Sequence, residues 1–97
     1  MKLTENKIIV AIRLENGDEL HASAVAKDKE LTAGDYNKLK GKVEKLANSV
    51  DAEDILYFSI RCKFRGESSN YRLCTLEGVI DTLDNIYKAE MEKKEKG

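Results

Sequence analysis

Between residues 7 and 14 the side chains alternate. Ile8, Val10, Ile12 and Leu14 fall on one side of an extended chain, and Lys7, Ile9, Ala11 and Arg13 fall on the other. A period of two marks a half-buried strand, because successive side chains of an extended backbone point to opposite faces. Asn16-Gly17 follows, and then ELHASAVA. A two-residue turn at Asn16-Gly17 sets Leu14, Ile12 and Val10 against Glu19, His21 and Ser23, which mixes core with polar groups. A three-residue loop, Glu15-Asn16-Gly17 with Gly17 left-handed in a bulge, instead pairs Ile12 with Leu20, Val10 with Ala22 and Ile8 with Ala24. That register leaves one apolar face and places Arg13 opposite Glu19, so it predicts a bulged hairpin.

The period then changes. Thr32 opens a helix with Asp35 three residues on, an approximate capping box. Tyr36, Leu39, Val43, Leu46, Ala47 and Val50 form one apolar stripe at spacings of three and four, so the helix should cover residues 32–48. Alternation returns at residues 54–65, with Leu56, Phe58, Ile60, Cys62 and Phe64 facing inward and Tyr57, Ser59, Arg61, Lys63 and Arg65 outward. GESSN reads as the turn and residues 71–75 as the returning strand. A second helix begins near Glu77, with Val79, Ile80, Leu83, Ile86, Tyr87 and Met91 on its core stripe.

The expected fold is therefore α+β, a two-layer sandwich in the order ββαββα. Two helices cover one face of a mostly antiparallel four-stranded sheet, and the other face is left to solvent or a partner. The two helix stripes superimpose at an offset of 44 and the strands at 48, a hint of two ββα units without sequence identity. At 97 residues the chain is expected to be a single domain, 1–97, with a flexible N-terminus over residues 1–6 and a frayed charged tail over 92–97. Charged residues make up 36% and hydrophobic ones 41%, a globular rather than a disordered composition. There is no proline, so Gly, Asn and Ser carry the turns. The first residues do not resemble a secretory signal, because Glu5 and Lys7 interrupt a short apolar run. No apolar run approaches the length of a membrane span. A cytoplasmic location with reduced thiols is the expectation.

Little supports catalysis or metal binding. The cysteines, Cys62 and Cys74, lie on two strands without the short ligand spacing of zinc sites, and read as small hydrophobic residues. This hairpin admits two turn registers. A loop centred on Ser68 pairs Cys62 with Cys74 and permits a disulfide. A loop over residues 66–69 sets Cys62 against Leu73 and Phe64 against Tyr71, and keeps Arg72 off the apolar face. The second is preferred, and it leaves the thiols unbridged. His21, the single imidazole, falls outward across from Ala11 as a solvated side chain. The carboxylates at Asp51, Glu53, Asp54, Asp81 and Asp84 lack the desolvated cleft that acid–base pairs need. There is no glycine-rich phosphate loop. The chain is expected to be no enzyme, without cofactor or metal.

The most informative stretch is RCKFRGESSNYRLC. Arg61, Lys63, Arg65 and Arg72 stand there against Glu67 alone, in a chain whose net charge is −1. Arginine favours planar, bidentate recognition of phosphate or carboxylate, and Arg with Tyr57 on an open sheet suits either single-stranded nucleic acid or a protein hot spot. Solvation of the sheet face is the plainer alternative. Ile9, Ala11 and Val25, with Ile55 and Tyr57 near them, add apolar surface that a partner or a second copy would cover. The reading is a small binding or regulatory protein, in the compositional style of phage and mobile-element accessory proteins. It is expected to be a homodimer engaging a protein partner through Ile9, Arg13, Tyr57, Arg61, Lys63, Arg65 and Arg72. The alternative is a single-stranded nucleic-acid-binding module built on the 61–72 hairpin.

Overall fold

The structure, a computed structural model, describes residues 5–27 and 29–96, with side chains as far as Glu92. The elements are β1 (Glu5–Leu14), β2 (Glu19–Lys27), α1 (Ala33–Asn48), a short 3-10 turn (Ala52–Asp54), β3 (Ile55–Phe64), β4 (Glu67–Leu73) and α2 (Leu76–Lys96). The strands form one antiparallel sheet in the order β2-β1-β3-β4, so the ββαββα α+β arrangement is as the sequence implies. Of the N-terminal segment expected to be flexible, residues 1–4 lie outside the described residues, while Glu5 and Asn6 belong to β1. The backbone of the charged tail is helical through Lys96, and Gly97 lies outside the described residues.

The first hairpin closes as the pattern requires. Ile12 pairs with Leu20, Val10 with Ala22, Ile8 with Ala24 and Arg13 with Glu19. The Leu14 N–H donates to the Asp18 carbonyl at 2.9 Å, and Gly17 takes φ +95°, open to glycine and strained for other residues. Asn16 braces the loop by accepting from the Asp18 N–H at 2.9 Å.

The second hairpin departs from both registers weighed above. Its turn is the dipeptide Arg65-Gly66, with φ of +51° and +86°, and β4 starts directly at Glu67. GESSN is thus mostly strand. Cys62 lies opposite Ser69, Phe64 opposite Glu67 and Ile60 opposite Tyr71. A primed two-residue turn matches the twist of its flanking strands, and that advantage outweighs the polar character of the Ser-Ser-Asn run. Cys62 is buried and Cys74, beyond the end of β4, is exposed; both are free thiols.

A bulge between β1 and β3 makes a second correction. Arg13 pairs with Tyr57, but Leu14 pairs with Ile55, so Leu56 is the extra residue. Leu56, expected in the core, is 51% exposed, and Ile55, expected near the open face, packs against the core instead.

Both helices lie on one face. Thr32 caps α1, accepting from the Asp35 N–H at 3.2 Å while the Asp35 carboxylate accepts from the Thr32 N–H at 2.9 Å. Tyr36, Leu39, Val43 and Ala47 are buried under it. On α2, Val79, Leu83 and Ile86 are buried, but Met91 is exposed and Glu90 takes the buried place in the stripe. The helices meet through Tyr36 and Tyr87, edge to face with centroids 5.0 Å apart, and through the Lys40–Asp84 ion pair at 2.7 Å.

Glu90 is buried because Arg65 reaches it. One guanidinium nitrogen of Arg65 lies 2.7 Å from Glu90 and the other 2.8 Å from Glu30. Asn6, only 3% exposed, closes the same corner: its amide donates to the Lys29 carbonyl at 2.7 Å and accepts from the Arg65 N–H at 3.1 Å.

Candidate functional site

The helix-free face of the sheet is a grid whose rows follow from the strand pairing, since directly opposed residues share a face. Reading from β2 to β4, one row is Val25, Lys7, Lys63 and Ser68. The next is Ser23, Ile9, Arg61 and Asn70, and then His21, Ala11, Ser59 and Arg72. Glu19, Arg13 and Tyr57 form the last. Small residues, Ala11 and Ser59, occupy the middle, and larger ones surround them. The result is a trough of about 720 Å³ floored by Ile9, Ala11 and Ser59, with Tyr57, Arg61, Arg72 and His21 at its sides.

Six of the seven residues expected to contact a partner, Ile9, Arg13, Tyr57, Arg61, Lys63 and Arg72, share this face. Arg65 does not. Turn position and left-handed φ take it out of the alternation, and its guanidinium is held by Glu30 and Glu90 at the helix side. The expected apolar patch is also thinner, because Ile55 turns inward and Val25 lies beside Lys7.

Charge on the face is uneven. Arg13 is tied to Glu19 at 3.0 Å, and Glu5 lies opposite Lys27. Lys7, Arg61, Lys63 and Arg72 have no ion pair among the described residues. Lys7 and Lys63 are direct cross-strand neighbours, an arrangement of like charges that costs stability. Lys7 was legible as an outward residue, but its place beside Lys63 depends on β1 pairing with β3, which no local pattern encodes. The Arg72 guanidinium carbon lies 4.3 Å from the centre of the Tyr57 ring, a cation–π contact that presents a flat surface at the trough wall.

His21 lies across from Ala11, exposed as expected, and gains a partner the sequence did not announce: its Nε2 is 2.7 Å from the Glu19 carboxylate. Hydrogen bonds from His21 and then Arg13 hold the Glu19 carboxyl below its ordinary range. The hydroxyl in the His21 row, Ser59, is two strands away, about 10 Å at the backbone. No group of three or more metal-ligating side chains occurs among the described residues. Nor is any helix among them long and apolar enough to cross a membrane.

Comparison with family models, with curated proteins and with solved structures finds no match for this chain.

Proposed function

We propose that the chain is a non-enzymatic binding module whose open sheet face takes an acidic segment of a partner protein. The observation that carries this reading is the cluster of Lys7, Lys63, Arg61 and Arg72, without ion pairs among the described residues, around a floor of small and apolar side chains. Unpaired like charges placed side by side on a sheet weaken the free protein. Such a cost is recovered when carboxylates arrive. Arg and Tyr among modest apolar residues is also the composition of protein hot spots.

A second reading, single-stranded nucleic acid, is favoured by one observation, the Tyr57 ring stacked with Arg72. Single-strand binders hold successive bases on several aromatic platforms, whereas strand pairing puts Tyr57 as the one aromatic on this face among the described residues, with Tyr71 reaching the trough from the opposite face of β4.

Fluorescence anisotropy separates the two. A labelled Asp/Glu-rich peptide and an oligothymidylate of matched charge are titrated with the wild type and with Arg61→Glu/Lys63→Glu, at low and physiological salt. The proposal expects the peptide to bind the wild type and to lose binding in the double variant. Oligothymidylate binding without peptide binding would establish the second reading, and binding of neither would reject both.

A further inference from the structure

The outer edge of β4 is an unfinished part of the sheet. In the Arg65-Gly66 hairpin the residues flanking the turn, Phe64 and Glu67, exchange backbone hydrogen bonds, and from there bonded and non-bonded pairs alternate. Glu67, Ser69, Tyr71 and Leu73 therefore turn their backbone groups toward β3. Ser68, Asn70 and Arg72 turn theirs away, toward no other strand among the described residues, since β4 ends the sheet. Natural edges are blunted by proline, by charged side chains, lysine above all, or by a bulge. The strand ESSNYRL contains neither proline nor lysine, its charges Glu67 and Arg72 stand near its two ends, and its pairing with β3 runs without a register shift. It also carries Tyr71 on the helix side, 40% exposed.

We infer that a second copy of this chain pairs antiparallel with that edge, β4 to β4, in a two-fold register centred on Asn70. The register follows from the backbone. A two-fold antiparallel pairing is centred either on a residue whose N–H and C=O face outward, namely Ser68, Asn70 or Arg72, or on Ser69 or Tyr71 between them, where only two of the three outward residues bond across the axis. Centring on Arg72 opposes the two Arg72 side chains, and centring on Ser68 leaves Arg72 beyond the partner strand. Centring on Asn70 uses all three outward residues, sets Arg72 against the other copy's Ser68 and brings no like charges face to face. On the helix side it places the two Tyr71 rings as diagonal neighbours, a separation aromatic side chains can span.

The other edge, β2, is closed to this by its helix. α1 packs on β2 and buries Ala22 and Ala26. Neighbouring strands lie about 4.8 Å apart and packed helix axes need roughly 8–10 Å, so two copies joined at β2 would drive their α1 helices together. α2 reaches both β3 and β4, so joining at β4 spaces the two α2 helices by two strand intervals or more. The joined sheet has eight strands, and its two cationic troughs lie on one continuous face. This assembly stands whether or not the trough takes an acidic partner.

Light scattering across a concentration series into the millimolar range should report a mass rising toward twice 10.9 kDa. Cys74→Ser/Asn70→Cys should form a disulfide-linked dimer under mild oxidant, because bonded antiparallel partners lie about 5.5 Å apart at Cα, within disulfide reach. Cys74→Ser/Ser23→Cys, on the β2 edge, should not. Asn70→Pro removes an N–H that no β3 partner uses, so it should keep the circular dichroism of the fold and abolish the dimer. A mass of 10.9 kDa at every concentration overturns the inference. So does a dimer that survives Asn70→Pro or that links through Ser23→Cys.

Discussion

Replacing Asn6 with alanine removes one small side chain and unties three segments. The amide joins β1 to the Lys29 carbonyl in the β2–α1 connection and to the Arg65 N–H in the β3–β4 turn. Each bond contributes about 1 kcal/mol net, and a partner left without water adds about 1–3 kcal/mol. With this corner partly buried, water reaches one of the two orphaned groups, and the expected loss is about 3–5 kcal/mol. A domain of this size has roughly 5–15 kcal/mol in hand. The melting temperature should therefore fall by roughly 15–25 °C. Urea and thermal unfolding followed by far-ultraviolet circular dichroism measure this directly. Asn6→Asp gives a second readout with a defined sign. Its carboxylate can accept from Arg65 but would face the Lys29 carbonyl, and only the protonated acid can donate there. Its folded pKa is then raised, so its contribution is fully present below the unfolded value near 4 and is lost as pH rises through the folded value. A loss below about 1 kcal/mol for Asn6→Ala, or an Asn6→Asp protein more stable at pH 7 than at pH 3 relative to wild type, would refute the clamp.

Burial first, and then the Glu90 carboxylate, push the Cys62 thiol up to about 11, so a thiol reagent at pH 8 should label exposed Cys74 promptly and Cys62 only on unfolding. Equal labelling of the two in the folded protein contradicts the register of β3. Leu56→Lys should change stability by no more than about 0.5 kcal/mol, whereas Phe58→Ala should cost about 3–5 kcal/mol; comparable losses in urea titrations would place Leu56 in the core and remove the bulge. Thr32→Ala should cost about 1 kcal/mol at pH 7 through loss of the α1 cap. The Thr32 backbone N–H chiefly holds the Asp35 carboxyl below its ordinary range, so the capping contribution is present above the unfolded pKa and fades as pH falls through the folded one. An Asp35→Asn variant whose deficit is the same at pH 7 and pH 2 would show that this charge does not matter.

The first three strands, the helices and the first hairpin were legible because each rested on a local rule with a testable consequence. The bulged first loop follows from the register that keeps Ile8, Val10 and Ile12 on one face, and the cap from Thr32 and Asp35 at the right spacing. What escaped was set by tertiary contact. Arg65-Gly66 lacks the asparagine that usually announces a primed turn. Arg65 tolerates φ +51° in company with the Asn6 amide, which comes from 59 residues away. The bulge that expels Leu56 is visible only when β1 lies beside β3. Glu90 in a core stripe reads as an interruption until Arg65 is beside it. The candidate site was read in its outward residues but not in its outline, because Lys7 joins Lys63 only through the central pairing of the sheet.

That central pairing has a consequence for how the trough reads a ligand. Ala11 and Ser59 are opposite each other on β1 and β3, with Ile9–Arg61 on one side and Arg13–Tyr57 on the other. Turn the sheet by half a revolution about the Ala11–Ser59 midpoint and the two flanking pairs exchange places, arginine falling on arginine and isoleucine on tyrosine. An extended ligand crossing the floor meets an arginine and an apolar side chain whichever way its chain runs. Glu19 breaks the equivalence: it holds Arg13 and leaves Arg61 without an ion pair among the described residues. The Lys7–Lys63 pair at one end and Arg72 beside Tyr57 break it further, so neutralising Glu19 would weaken the polarity of binding without abolishing it.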